Sequence, residues 1–284
     1  FPPKWQRIPL KLCKPHYAVL SAIASTFFPI NLHVAFTFYS DILQNSYTGL
    51  VQLQRGDSNN VDSSIAVAPI PQDCTAKHLI IGAGFIGLAI AQALKAANLP
   101  YDQVDASDNI GGNWHHGVYT TAHIISSRKI TQFTHFPMPE NYPDFPSAQQ
   151  MRDYLWSFAD HFDLRSHIQL NSTVIDVRPI VDNHWLVTFA NQEQRIYRGI
   201  LLCNGHHWQR RLPTFEGQFQ GEIIHSKDYK HPDQLNNKRV LVIGGGNSAC
   251  DIASEAGRVA VKSVLSLREP VWFIPKTFAG RPVA

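Results

Sequence analysis

Two series of positions dominate the hydrophobic pattern of the chain, and in each a short β-branched run leads into clustered glycines and then a helical stretch. The first series begins at His78 and reads HLII, GAGFIG, LAIAQALKAANLP. The second begins at Lys238 and reads KRVLVI, GGGNSA, CDIASEAG, and the apolar run KSVLSL follows it. Each series predicts a buried strand, a tight turn and a helix. We expect the second helix to end at Gly257, because glycine commonly follows a helix C-terminus.

Between the two series, a proline-rich segment is followed by a helical pattern of apolar residues. Residues 133–146 contain four prolines and four aromatic residues, which predicts an extended covering segment rather than a helix. Ser147 and Gln150 then stand at capping-box spacing. The apolar positions behind them recur three and four apart, so they predict a helix with one face in the core.

The next segments predict strands and complete the fold class. Alternating segments at 172–178, 184–190 and 194–198 predict a small antiparallel meander, and the continuous apolar run GILLCN that follows predicts a buried parallel strand. The pattern as a whole predicts an α/β fold with two Rossmann-like dinucleotide-binding units and an inserted β-meander. We expect three parts, namely an N-terminal extension with its linker, a first nucleotide-binding domain containing the meander, and the incomplete start of a second such domain: 1–75, 76–235 and 236–284.

The first part of the chain differs from the rest in its distribution of charged and apolar residues. Residues 18–39 contain no Asp, Glu, Lys or Arg and are long enough to cross a bilayer, with four basic residues before them. Pro29, Asn31 and His33 interrupt this stretch, so the alternative is a poorly ordered or non-native extension, which we favour. Residues 52–76 are rich in Ser, Asn, Asp and Pro and predict a linker. Since the first residue is Phe1, we expect the chain to be a fragment or a misjoined translation.

The amino-acid composition limits the classes of function that the chain can have. The 284 residues, 44% apolar and 17% charged, are enough for two globular domains. The net charge of +3 without a long basic run gives no indication of nucleic-acid binding. The four cysteines stand far apart and form no C-x-x-C, so they predict neither a zinc site nor a redox dithiol, and reduced thiols favour a cytoplasmic protein. The histidine pairs at 115–116 and 206–207 lack the spacing of a helical metal face, so we expect no metal. The oligomeric state is not indicated.

The first glycine turn has the spacing G-x-G-x-x-G. Gly82 allows the tight turn, Gly84 lets the backbone approach a pyrophosphate, and Gly87 lets helix and strand pack closely. The pyrophosphate is then expected at the helix N-terminus, and Asp105 is expected to accept the ribose hydroxyls. Shortly afterwards a Gly-Gly pair lets a loop run close to a ligand that Trp114 would cover, although a plain turn with a core tryptophan is the alternative. The predicted cofactor-binding residues of this unit are Gly82, Gly84, Phe85, Ile86, Gly87, Asp105, Gly112, Asn113 and Trp114.

The second glycine turn differs in the charge at its ribose position. The next strand ends at Arg268, where the first unit carries its acidic residue. An arginine there can pair with a 2′-phosphate, which favours NADP over NAD, although an exposed cation at a strand end is the alternative. An acidic first site and a basic second site are typical of a flavin site beside an NADPH site. The predicted cofactor-binding residues of this second unit are Gly244, Gly246, Asn247, Ser248, Ala249 and Arg268.

With these residues assembled, the chain from about 76 to 284 resembles the flavin-containing monooxygenases. The resemblance rests on GAGFIG, IGGNW, the spacing Phe219-x-Gly221-x-x-x-His225-x-x-x-Tyr229, GGGNSACDIA and the region of Arg268, in that order. It implies FAD at the first turn and NADP at the second, with a flavin C4a-hydroperoxide that passes oxygen from O₂ to nitrogen or sulfur of a small molecule. Baeyer–Villiger monooxygenases are similar but usually end the spacing with Trp, so Tyr229 favours the N- and S-oxygenating branch.

Two departures from the family pattern affect the expected chemistry. Ile125 stands where many members carry an asparagine near the flavin, and its neighbours offer hydrogen bonds to flavin or NADP in its place: Ser126, Ser127 and Arg128. The chain also ends some forty residues after the second turn, whereas the family needs more chain to complete the NADP domain. An inactive, truncated FAD- and NADP-binding flavoprotein is therefore an alternative, as is a Baeyer–Villiger enzyme. A flavin disulfide reductase would need a redox cysteine pair, which the sequence lacks.

His225 is the one titratable candidate for a catalytic group in the signature. Histidine is the side chain that most often serves as an acid or base near neutral pH. No partner for it is visible in the sequence, and a structural role at the connection between the two units is the favoured alternative.

Overall fold

A computed structural model describes residues 70–206 and 208–283 of the chain. The candidate membrane segment at 18–39 and the predicted linker as far as residue 69 lie outside these residues. Among the helices that are described, none is both long enough and apolar enough to cross a membrane.

One mixed sheet organises the first part of the fold. Its strand order is β3-β2-β1-β6-β5-β4. Strands β1, β2, β3 and β6 run parallel, while β4, β5 and β6 pair in antiparallel fashion. The bounds are β1 (Gln72–Ile81), β2 (Tyr101–Val104), β3 (Ile168–Gln169), β4 (Val174–Pro179), β5 (Trp185–Phe189) and β6 (Gln194–Leu202).

The helices of this part pack their small and apolar faces inward. Helix α1 (Phe85–Ala96) follows the first glycine turn and buries Leu88, Ala91 and Leu94. Helix α2 (Arg128–Thr131) is a single turn. Helix α3 (Ala148–His161) begins with the predicted capping box, in which Ser147 and Gln150 each accept a hydrogen bond from the other's backbone N–H. Short π- or 3₁₀-helical turns lie at Asn113–Gly117, Arg165–His167, Val181–Asn183 and Pro232–Leu235.

Two predictions about the strands are wrong. The predicted linker at 52–76 includes Gln72 to Cys74, but these residues pair with Arg195 to Tyr197, so β1 starts earlier and crosses a bulge before His78. The last segment of the predicted meander, 194–198, and the run GILLCN are expected to be separate strands, but Gln194 to Leu202 form the single strand β6. Gly199 permits this, because a side chain there would press on the His78 ring of the neighbouring strand. The meander is thus continuous with the main sheet, while the predicted domain boundaries stay a prediction.

The second unit has the predicted strand, turn, helix and strand. Strands β7 (Arg239–Ile243) and β8 (Lys262–Ser266) pair in parallel around helix α4 (Asn247–Val259), and β9 (Thr277–Phe278) and β10 (Arg281–Pro282) form a hairpin. The predicted helix end at Gly257 is wrong, because the helix continues to Val259 and Ala260 takes the C-cap position. Gly257 is exposed within the helix, with no atom near enough to oppose a side chain.

Candidate functional site

Two of the three glycines in the first glycine turn have no room for a side chain. Gly82 has φ +113°, and a β-carbon on it would overlap the backbone carbonyl of Cys203 at the end of β6. A β-carbon on Gly87 would overlap the carbonyl oxygen of Gly82, so helix α1 lies directly against the turn. The first turn of α1 contains no acidic residue. Its N–H groups and the positive end of the helix dipole are therefore suited to an anion.

The predicted Gly-Gly loop lies on this turn. The Gly111 N–H donates a hydrogen bond of 2.9 Å to the carbonyl oxygen of Ala83. A β-carbon on Gly112, whose φ is +55°, would lie 3.1 Å from the Cα of Gly84. Two glycine segments far apart in sequence thus meet face to face. The contact leaves a backbone-lined surface that a ligand can approach closely.

The residues that follow the Gly-Gly pair anchor the loop. The Asn113 side-chain amide donates to the carbonyl oxygen of His206 at 3.2 Å. Trp114 is half-buried and packs against the core cluster to which Tyr119, Tyr229 and two residues of α4 belong. This position fits the alternative of a core tryptophan, and whether Trp114 also covers a ligand stays a prediction.

Asp105 ends the β2 segment beside the first glycine turn. One carboxylate oxygen accepts from the Ala83 N–H at 2.5 Å, and the other accepts from the Ser107 N–H at 2.8 Å. The Asp105 carboxylate therefore stabilises the first glycine turn, beside which the cofactor is expected to bind. Each carboxylate oxygen can accept a further hydrogen bond, so both contacts are compatible with a ribose hydroxyl as an additional partner.

The segment at the family's asparagine position is engaged mainly with the protein. The Ser126 hydroxyl lies 2.7 Å from the Thr131 hydroxyl, and the Arg128 guanidinium donates to the carbonyl of Pro139 in the covering segment at 3.0 Å. Ser127 is buried at the start of α2, and Ile125 is exposed. The Arg128 contact attaches the covering segment to the start of α2. The predicted cofactor role of Ser126, Ser127 and Arg128 stays a prediction.

The second glycine turn is more open than the first. Gly244 has φ +129°, and its N–H donates to the Ser266 carbonyl at 3.0 Å. Gly246 caps α4 with no atom near the place of a β-carbon, and Asn247, Ser248 and Ala249 form the first turn of the helix. Arg268 is exposed just beyond β8, and within the described ranges no carboxylate forms an ion pair with it. It is thus available to an anionic group.

The spacing between His225 and Tyr229 corresponds to one backbone turn. The His225 carbonyl accepts from the N–H groups of Asp228 at 2.8 Å and Tyr229 at 3.2 Å. The Nδ1 of His225 accepts from the Lys227 N–H at 3.1 Å, so the ring caps the turn that it begins. A nitrogen that accepts carries no proton, and this contact therefore favours the tautomer with hydrogen on Nε2.

The spacing between Phe219 and Gly221 has a steric reason. The aromatic ring of Phe219 lies so close to Gly221 that a β-carbon there would overlap ring carbons. The ring itself is exposed among the described residues. The signature therefore comprises a ring folded over a glycine, followed by a histidine-capped turn.

Tyr229 connects this turn to the helix of the second unit. Its side chain is buried, and its hydroxyl donates to the Glu255 carboxylate on α4, which also accepts from the Thr121 hydroxyl. Burial first, and then the Glu255 contact, raise the pKa of Tyr229 above its ordinary value. The phenol therefore remains protonated and able to donate at neutral pH.

A second tyrosine makes a parallel connection one helical turn earlier. The Tyr119 hydroxyl donates to Asp251 at 2.7 Å, and the rings of Tyr119 and Tyr229 lie 5.7 Å apart. Neither Asp251 nor Glu255 is among the site residues predicted from the sequence. Their signal is the i, i+4 spacing of Asp251 and Glu255, which places two acidic groups on one face of the second helix.

The comparisons with known proteins agree with this geometry. The flavin-binding monooxygenase-like family matches residues 75–283. The chain is 35% identical over 220 residues to dimethylaniline monooxygenase (N-oxide-forming) 2 of Mus musculus and 33% identical over 220 residues to flavin-containing monooxygenase 2 of Homo sapiens. Each alignment covers 70% of this chain and 41% of the relative, so the chain spans about two fifths of their length.

Solved structures show the same fold. A flavin-containing monooxygenase from Stenotrophomonas maltophilia matches with a TM-score of 0.65 and 24% identity, over 72% of this chain and 61% of the other. The structure of OTEMO in complex with FAD and NADP matches with a TM-score of 0.60 and 26% identity, over 69% of this chain and 39% of the other. The α/β prediction with Rossmann-like units is confirmed, and the chain belongs to the flavin-binding monooxygenase-like family.

Proposed function

We propose that residues 76–235 bind FAD, that residues from 236 onward begin an NADP-binding domain, and that the whole protein is an NADPH-dependent flavin monooxygenase. The observation that carries the proposal is the presence of two strand–turn–helix units, which Tyr229 joins through its hydrogen bond to Glu255. The first unit has an acidic residue at its expected ribose position, and the second has a basic residue there. Family membership and the FAD and NADP bound to OTEMO support the same assignment.

The first turn fits the diphosphate of FAD. Gly84 and Gly112 leave backbone without side chains where the two segments meet, and the start of α1 offers unpaired N–H groups. Asp105 is held against Ala83 with acceptor capacity remaining for ribose hydroxyls. An uncharged ligand would not need these backbone donors, whereas the pyrophosphate of a dinucleotide does.

The second turn fits NADP for a related reason. The start of α4 is open at Gly246, and its first turn has no carboxylate to compete with a diphosphate. Arg268 is exposed at the position where a 2′-phosphate would lie. A guanidinium can bind a phosphate in bidentate fashion, which supplies both charge and orientation.

The oxygenation chemistry would be supplied by bound FAD, as a C4a-hydroperoxide formed with O₂ after reduction by NADPH. The described residues position the cofactors and fix the angle between the two units through Tyr119 and Tyr229. His225 holds its turn through Nδ1, and we assign it this positioning role rather than proton transfer.

We propose a soft nitrogen or sulfur atom of a small molecule as the acceptor of oxygen. Tyr229 at the end of the signature supports this choice, and so does the N-oxide-forming activity in the name of the Mus musculus relative. Cyclohexanone monooxygenase is also a structural neighbour, with a TM-score of 0.62 at 24% identity. Baeyer–Villiger oxygenation of a ketone is therefore the second candidate.

The test is anaerobic reduction of the FAD-loaded chain by NADPH and by NADH, with Arg268→Ala compared with the unchanged chain. Bleaching of the flavin absorbance should require roughly tenfold more NADPH in the variant, because one charged contact is worth on the order of 1.4 kcal/mol. The NADH requirement should change little, since NADH lacks the 2′-phosphate. Equal effects on both nucleotides would contradict the role of Arg268.

The choice of substrate is tested by product analysis of the full-length protein. An N-oxide from a tertiary amine or a sulfoxide from a thioether would support the proposal. An ester or lactone formed from a ketone, with no N- or S-oxide, would support the Baeyer–Villiger candidate. NADPH-dependent release of hydrogen peroxide alone would indicate an uncoupled oxidase.

A further inference from the structure

Two adjacent histidines and an aspartate converge at the loop that carries the Gly-Gly pair. The Nε2 atoms of His115 and His116 lie 3.2 Å and 2.8 Å from the same oxygen, Oδ1 of Asp108. The ligand atoms of the three side chains all lie within 4.8 Å of one another, and no other such group of three occurs in the part of the chain that the structure describes.

The local backbone explains why adjacent histidines meet. Neighbouring side chains on an α-helix point about 100° apart, which was the basis for expecting no metal here. His115 and His116 instead lie in the π-helical turn Asn113–Gly117, and their ring centroids are 3.7 Å apart. The sequence spacing therefore did not reveal that both rings face one carboxylate.

The surroundings of His115 hold one member of the cluster in place. The His115 side chain is only 12% exposed and lies 6.2 Å from the Trp156 ring, centroid to centroid. Trp156 in turn donates to the Ile110 carbonyl at 3.2 Å, which ties the loop to helix α3. Asp108 and His116 are exposed, so the third side of the cluster is open to solvent.

We propose that Asp108, His115 and His116 bind Zn²⁺, with solvent completing the coordination. Two imidazole nitrogens and one carboxylate oxygen are a common zinc ligand set. Ligand distances of about 2.0–2.2 Å in a tetrahedron place ligand atoms roughly 3.3 Å apart, so the two His–Asp distances need to grow by only a few tenths of an ångström.

The metal would brace the loop that contacts the first glycine turn. Asp108 and the two histidines stand on either side of Gly111 and Gly112, which lie against Ala83 and Gly84. Ligands at both ends of this loop would restrict its movement. Zinc binding should therefore slow proteolysis within residues 108–116 without changing the fold.

The experiment is a Zn²⁺ titration of the purified chain against a chromophoric chelator. We compare the unchanged chain with His116→Ala, Asp108→Asn and the control His135→Ala, since His135 is exposed and outside the cluster. We expect one site to weaken at least tenfold in the first two variants and to be unchanged in the control. His116→Cys should restore binding, because a thiolate is also a zinc ligand.

Two outcomes would overturn the proposal. One is that His116→Ala and Asp108→Asn bind the same number of zinc ions with the same affinity as His135→Ala. The other is that Zn²⁺ leaves the rate of proteolysis in residues 108–116 unchanged. Circular dichroism of each variant shows whether it is folded, and His116 is exposed enough that its replacement should not disturb the core.

Discussion

His225 illustrates how a single side chain can fix backbone geometry. Its Nδ1 accepts from the Lys227 N–H, and its carbonyl accepts from the N–H of Tyr229. The ring is thus part of the turn that delivers Tyr229 to Glu255. This role needs a hydrogen-bond acceptor near the backbone and no titration.

The first prediction separates capping from acid–base chemistry. His225→Ala should lower the free energy of unfolding by about 1 kcal/mol, the usual value for one net hydrogen bond. His225→Asn should recover most of it, because an asparagine oxygen can accept from the N–H two residues on. The measurement is urea denaturation, with NADPH-dependent flavin reduction followed in parallel. An asparagine variant no more stable than the alanine variant would refute the cap. Restored stability without restored reduction would indicate a role for the imidazole in chemistry.

Tyr229 is the second residue whose role can be tested. Tyr229→Phe removes a donor from the buried Glu255 carboxylate and should cost about 1–3 kcal/mol of unfolding free energy at neutral pH. Tyr101→Phe is the matched control, since the buried Tyr101 hydroxyl has no partner in the described part of the chain. That control should cost little. A similar loss in both variants would contradict a specific role for the Tyr229–Glu255 contact.

The same contact predicts a pH dependence. The pKa of Tyr229 is raised above the ordinary value of 10.0 by burial and by Glu255. The folded state therefore keeps a proton that the unfolded state loses, so the stability from Tyr229 is full below pH 10 and falls as pH rises above it. The difference in unfolding free energy between the unchanged chain and Tyr229→Phe should shrink from about pH 9 to about pH 11. A difference that stays constant over this range would show that the phenol does not titrate with unfolding.

At the scale of elements, the two glycine turns are where local spacing and tertiary structure agree. Strand, turn and helix follow from β-branched runs, glycine spacing and Ala-rich stretches, and each was predicted from the sequence. The errors occur where packing overrides local pattern. β1 extends to Gln72 because β6 offers a partner strand, and α4 passes through Gly257 because backbone hydrogen bonds continue to Ala260.

Some of the site could not be predicted because it depends on contacts across long sequence distances. Thr121 meets Glu255, and Tyr119 meets Asp251, only once the second helix packs on the loop after the Gly-Gly pair. The convergence of His115 and His116 depends on a π-helical turn. No short-range pattern in the sequence specifies either arrangement.

Alanine substitutions at two helical glycines are predicted to change the free energy of unfolding in opposite directions. Gly87→Ala would drive a methyl group into the Gly82 carbonyl, and backbone cannot yield cheaply, so we expect a loss of about 1–3 kcal/mol and weaker FAD binding. Gly257→Ala meets open space within α4 and should instead stabilise by about 0.5–1 kcal/mol. Urea denaturation of both variants measures these changes. Changes of the same sign would contradict the steric argument.

At the scale of the whole molecule, two nucleotide-binding units share one set of contacts. The core around Tyr119 and Tyr229 includes Ile252 and Ala256 of α4, so the second helix packs directly on the first unit. A rigid connection suits a reaction in which hydride passes between two bound dinucleotides, since both must be oriented together. The angle between the units is therefore part of the proposed function.

The proposed function depends on FAD binding by the first unit, which a fluorescence titration of FAD into the purified, folded chain measures. We predict saturable binding of one FAD per chain, weakened at least tenfold by Asp105→Ala and unaffected by Gly257→Ala. Absence of saturable binding by a chain that is folded by circular dichroism, or equal binding by the Asp105→Ala variant, would contradict the account.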